Sequence, residues 1–210
     1  MKTKQNTNYS AFLFLLYVSV MLIITFLQQE FVLLPELQSF DLVGNEAKAQ
    51  MLEKWQKWRW LSFLAAPLLL SLRLSLVSLC MFLGSFFFAE MTGRKYRDWW
   101  NVAMIAQSVL IFYSVALCVI NIVSGTNESL EVSKYTSLLF LGGNNIEQWI
   151  KIPLSAINIF EIAYWLVMSR LVSLKIGSTF GRSFKFVMSS YGVGYLFYIA
   201  LLMFLMLYLN

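Results

Sequence analysis

Five long apolar stretches, 11–27, 61–89, 102–123, 153–172 and 186–209, are separated by short charged connectors. A hydrocarbon core about 30 Å thick needs roughly 20 mostly apolar residues per helix. Inside it every backbone N–H and C=O must be bonded within the chain, which leaves helices and closed barrels. These runs are continuous rather than alternating, so they predict helices. The expected fold is all-α: a polytopic membrane protein whose residues 1–210 form a single membrane domain. Five transmembrane helices are expected at about 10–29, 64–89, 102–124, 153–173 and 186–209. The run 61–89 would be about 43 Å long as one helix, so it must tilt or begin in the interface. Pro67 offers a place for the bend.

Composition sharpens the reading. The chain is 59% hydrophobic and 13% charged, and no connector is long enough for a soluble domain. The net charge of +5 comes from Lys and Arg residues beside the apolar runs. Basic residues there set topology and meet anionic head groups. Nucleic acid is not expected, because no soluble cationic surface exists to release counterions. Cys80 and Cys118 lie inside apolar runs and suggest neither a disulfide framework nor a metal site. The chain has no His, which removes the commonest general base and metal ligand. The first run follows Lys2 and Lys4, but it is longer than a signal-peptide core and no A-x-A-like site follows it, so a retained anchor is expected.

Between the first two spans, 45–60 has a helical pattern. Ala47, Met51, Trp55, Trp58 and Ser62 share one side, and Glu53 and Lys57 form an i,i+4 pair. Trp55, Trp58 and Trp60 suit a membrane–water boundary, as does the pair Trp99 and Trp100 before the third span. An interfacial amphipathic helix is expected at about 45–60; the alternative is an N-terminal extension of the second span. A short apolar piece, 135–141, cannot span and reads as an interfacial or re-entrant turn closed by Gly142-Gly143-Asn144-Asn145. Pro153 suits the first turn of the fourth helix. Lys2, Lys4, Arg94, Lys95, Arg97, Lys175, Arg182 and Lys185 would share one side, against Lys48, Lys54, Lys57, Arg59, Lys134 and Lys151 on the other. The positive-inside rule then puts the N-terminus in the cytoplasm and the C-terminus opposite. The membrane would be the inner or plasma membrane in a bacterium, or an endomembrane in a eukaryote.

Two ionisable residues stand out within the runs. Glu161 falls near the middle of the fourth span, where a charge is costly. Asn158, Glu161, Trp165 and Ser169 form a polar stripe at helical spacing. The leading expectation is a neutral carboxyl acting as packing glue; the functional alternative is a proton- or cation-sensitive site. Arg73 is the candidate partner for Glu161, or else it snorkels to a head group. Gln107 is a further candidate for an intramembrane polar network. Ser190 and Gly194 form a small-xxx-small pair that favours close packing inside the fold over self-association. Tyr191, Tyr195 and Tyr198 lie on neighbouring faces.

Three stretches carry a resemblance: Lys95-Tyr96-Arg97-Asp98-Trp99-Trp100, then Asn158-Ile159-Phe160-Glu161-Ile162-Ala163-Tyr164-Trp165, then Gly177-Ser178-Thr179-Phe180-Gly181-Arg182-Ser183-Phe184-Lys185. Over about 93–207 the chain resembles the Yip family of five-span membrane proteins, the Rab-GTPase-interacting type with its bacterial relatives. The resemblance implies a five-helix bundle that acts through partners and lipid rather than by catalysis.

The expected function is a non-enzymatic membrane scaffold or accessory subunit. Its expected partners are membrane lipids and other integral membrane proteins, with a homo-oligomer allowed and no cofactor required. The alternative is a small transporter or lipid-handling subunit built around Glu161. An intramembrane enzyme is a third, lesser reading.

Overall fold

The computed structural model describes residues 2–39, 45–124, 126–142 and 148–209. Among them the regular structure is helical, apart from one isolated β-bridge between Ser137 and Asn158. Four helical stretches are long and apolar enough to cross a membrane: Tyr9–Leu33, Ala49–Phe87, Tyr96–Ser124 and Phe180–Tyr208. They are compatible with an integral membrane protein. The chain divides into two compact units, Met1–Leu72 with Ile111–Leu130, and Arg73–Leu110 with Glu131–Asn210.

In the first unit, helix α1 (Lys2–Gln28) continues through a π turn, Gln29–Leu33, into α2 (Leu34–Ser39). Pro35 therefore does not stop the helix. It sits in the first turn of α2, directly after a widened turn, where its missing N–H is tolerated. Buried Gln29 donates through Nε2 to the Arg59 carbonyl at 3.1 Å, and Arg59 Nη1 donates to Glu30 at 2.9 Å. These bonds tie the end of α1 to α3 (Asn45–Gly84). The Arg59 guanidinium also lies over the Trp55 ring, 5.4 Å from its centroid, while Trp58 and Trp60 are exposed. Helix α3 runs 40 residues without interruption through Pro67. The segment 45–60 is thus its N-terminal extension and not a separate helix: no turn residue or cap intervenes to end it.

The second unit takes α3 from Arg73 onward, two short 3₁₀ turns (Ser85–Phe87 and Ala89–Met91), α4 (Tyr96–Ala106) and the start of α5 (Ser108–Ser124). After α6 (Thr126–Tyr135), which enters this unit at Glu131, come a 3₁₀ turn (Leu138–Gly142) and α7 (Gln148–Ala156). Helices α8 (Ile159–Ile176) and α9 (Phe180–Val187), a π turn (Met188–Gly192) and α10 (Val193–Leu209) complete it. From residue 143 the closure expected at 142–145 lies outside the described residues.

On α4, Trp99, Val102, Ala103 and Ala106 recur at i, i+3, i+4 and i+7 and are buried. This corrects the expected role of Trp99. Only 1% exposed, it packs on Phe186 with ring centroids 5.1 Å apart and is a core residue rather than a boundary anchor. Its neighbour Trp100 is half-buried beside Tyr96. Asp98 accepts the Lys95 N–H at 3.2 Å and pairs with Lys175 Nζ at 2.8 Å, and Arg182 pairs with Glu90 at 2.6 Å. The two connectors around 90–98 and 175–182 therefore meet.

The expected fourth span, 153–173, is not one helix. Helix α7 starts at Gln148, which puts Pro153 in its interior rather than its first turn, and it ends at Ala156. Asn158 then adopts an extended conformation, φ −116° and ψ 166°, and caps α8. An Asn side chain offers the backbone an alternative to the helical bond, which is why it favours this position. The groups freed at the break are met across the bridge. Leu138 N–H donates to the Ile157 carbonyl at 3.0 Å, and Ile159 N–H to the Thr136 carbonyl at 2.8 Å. Helix α8 ends at Gly177, whose φ of +77° is the left-handed conformation that glycine adopts at least cost.

The last helix begins at Phe180, six residues before the expected 186. Ser190 lies against Gly84 and Gly194 against Cys80, so the small residues on the two helices face each other in antiparallel order.

Candidate functional site

The break before α8 changes where Glu161 stands. It occupies the first turn of α8 rather than the middle of a long helix, and its backbone N–H donates to Asn158 Oδ1 at 2.7 Å. A helix N-terminus favours negative charge through its unpaired N–H groups and aligned peptide dipoles. Three donors converge on the carboxyl group. Arg73 Nη2 reaches Oε2 at 2.8 Å, Tyr191 OH reaches Oε1 at 2.7 Å, and Trp165 Nε1 reaches Oε1 at 3.2 Å. Glu161 is only 3% exposed.

Arg73, the candidate partner, pairs with the buried carboxyl at 2.8 Å. The local helix start and the guanidinium from α3 both face the carboxyl, and a charge buried without such partners would be costly. Arg73 does not reach away to a head group. Its guanidinium lies 5.6 Å from the Tyr164 ring centroid, and 38% of the side chain remains exposed. Aromatic rings wall the pair: Tyr164 and Trp165 meet Tyr191 edge-on at 5.7 and 6.4 Å. Tyr195 packs on Trp165 and donates to the Ala156 carbonyl at 2.7 Å, closing the cut end of α7.

Four of the expected stripe residues do come together. Asn158 caps, Glu161 accepts, Trp165 donates, and buried Ser169 donates to the Trp165 carbonyl at 2.7 Å. Gln107 does not join them. It is buried at the turn between α4 and α5, and its Oε1 has no hydrogen-bond partner among the described residues. In the sequence Tyr191 stands only as one of three tyrosines on neighbouring faces; its hydroxyl joins the site because the π turn before α10 packs beside α8. The Tyr164 hydroxyl is buried without a hydrogen-bond partner among the described residues. Among the described residues, no group of three or more His, Cys, Asp or Glu side chains lies close enough to hold a metal ion.

No family model, curated protein or solved structure matches the chain.

The geometry makes Glu161 an acceptor at which three helices meet: α3 through Arg73, α8 itself, and the π turn before α10 through Tyr191. Replacing the cap tests how far the broken segment depends on its local bonds. Asn158→Ala removes the acceptor for Glu161 N–H and is expected to lower stability by about 1 kcal/mol. Asn158→Asp, which keeps an acceptor, should lose less. Thermal unfolding of the purified protein in mild detergent reads the difference, and equal loss in both variants would remove the capping role.

Proposed function

We propose that this chain is a non-enzymatic integral membrane scaffold or accessory subunit that binds other membrane proteins and lipid, organised like the five-span Yip-type proteins it resembles. The observation that carries the reading is the state of Glu161. Its carboxyl is buried and engaged by three donors, which suits a joint between helices better than a site that must open to a proton or ion. In this reading α7 and α8 together make the fourth of five crossings as a discontinuous helix. Non-helical backbone at membrane depth is tolerated where protein covers it, and the bridge to 136–138 supplies that cover. The exposed Trp58 and Trp60 support a membrane-surface position for this part of α3. The basic connectors that meet through Lys175–Asp98 and Arg182–Glu90 face the cytoplasm with the N-terminus, and the C-terminus lies opposite.

One feature favours the alternative of a small transporter or lipid-handling subunit. Broken helices with a charged group at the cut end recur where transporters hold their substrates, and Glu161 stands at such an end. Purification in mild detergent separates the two. The scaffold reading expects another integral membrane protein that stays at constant ratio through a second purification step. A lone protein whose Glu161→Gln variant stays folded but loses pH-dependent solute flux in vesicles would overturn it.

A further inference from the structure

We propose that a groove between the 3₁₀ turns at 85–91 and α9 seats the phosphodiester head group of an anionic membrane lipid; this rests on the reading of the chain as membrane-spanning. The groove encloses ≈ 290 Å³ and is lined in part by Phe87, Glu90, Arg182 and Lys185. Its depth follows from the helices. One membrane-crossing stretch ends at Phe87 and another begins at Phe180, so the groove sits where two crossings leave the hydrocarbon. That is head-group level.

Its charge is complementary to one phosphodiester. A single carboxylate, Glu90, stands against two cations, Arg182 and Lys185, leaving one positive charge in excess. The Arg182 guanidinium is held by one ion pair, to Glu90 at 2.6 Å, and is 68% exposed. Exposed pairs of this kind hold weakly, so a phosphate can take the guanidinium from Glu90. Its two oxygens match the planar fork of the arginine. Lys185 is exposed and forms no ion pair among the described residues. Arg94 and Lys95, just beyond the 3₁₀ turns, add to the positive potential. The apolar part of the lipid has its own platform. Phe87 is 86% exposed and lines the same groove as the charged residues, so glycerol and the first acyl carbons of a bound lipid would lie against it. A zwitterionic lipid brings its own ammonium, which offsets the phosphate charge and repels Arg182 and Lys185.

The full-length protein in mild detergent, titrated with phosphatidylglycerol or phosphatidylcholine, is read by native mass spectrometry. Wild type should hold phosphatidylglycerol in preference, and each basic residue lost from the groove should lower that preference about fivefold. Arg182→Gln with Lys185→Gln should therefore abolish it, whereas Lys54→Gln with Lys57→Gln, an equal charge change at the other end of α3, should preserve it. Glu90→Gln frees Arg182 and should raise phosphatidylglycerol binding; it carries the test even if the double variant fails to fold. Equal binding of the two lipids, an unchanged preference in the groove variant, no gain in Glu90→Gln, or displacement of the lipid by millimolar inorganic phosphate would each overturn the site. A partner that still co-purifies in that case leaves the scaffold reading standing.

Discussion

Glu161→Gln is expected to destabilise the protein by about 3 kcal/mol, the low end of the cost of breaking a buried ion pair. The low end applies because the Arg73 side chain is 38% exposed and recovers some solvation. The amide can still accept from Tyr191 and Trp165, but whichever way it turns it offers Arg73 either an NH₂ group or a neutral oxygen. The guanidinium is left facing aromatic rings without a counter-charge. Arg73→Gln should cost a comparable amount by stranding the carboxylate. The double variant should recover at least half of the loss, because two amides can hydrogen-bond to each other and neither leaves a net charge. Apparent melting temperatures of the four proteins in one detergent form the cycle. A silent Glu161→Gln would mean that the carboxyl is protonated and the pair is not ionic. Single losses that simply add in the double variant would mean that Arg73 and Glu161 do not act together.

Gly84→Ala should cost about 3 kcal/mol, at the upper end of the range for overpacking. A Cβ at this position overlaps the Cβ of Ser190 and sits 3.3 Å from its Cα. Neither atom can rotate away, so the helices must separate. Ser190→Gly in the same chain removes the obstacle and should restore all but about 1 kcal/mol, the conformational cost of glycine in a helix. Gly194→Ala is the useful contrast. There the new methyl meets Cys80 Sγ at 2.6 Å, the mobile end of a side chain, so a rotamer change can relieve it. Its effect should be the smaller of the two. If Gly84→Ala and Gly194→Ala prove equally mild, the close approach of the two helices is not as tight as the backbone positions require.

Much of the helix inventory was legible because hydropathy is a local property. Each apolar side chain contributes its own transfer free energy regardless of what it later touches, so runs such as 11–27 and 102–123 announce helices by composition alone. The outliers Arg73 and Glu161 were legible for the same reason: a charge inside an apolar run has to be accommodated by something. The small-residue positions Ser190 and Gly194 could also be picked out, although their partners Gly84 and Cys80 could not.

The break at 157–158 was not legible, because its stability depends on residues 136–138, which meet it only in the folded chain. A continuous apolar run reads as one helix until distant backbone groups stand ready to accept and donate at the cut. The burial of Trp99 escaped for a related reason. An indole suits a membrane boundary and a protein core equally well by composition, and the face of α4 that meets Phe186 decides between them. The chain by itself thus determined that it forms helices, where most of them run and which charges are anomalous. Only tertiary contact decided that the fourth apolar run is cut in two and that its end holds Glu161 between Arg73 and Tyr191. Transfer free energy adds up along the sequence, whereas the pairing of a charge or a freed carbonyl depends on groups brought close only by folding.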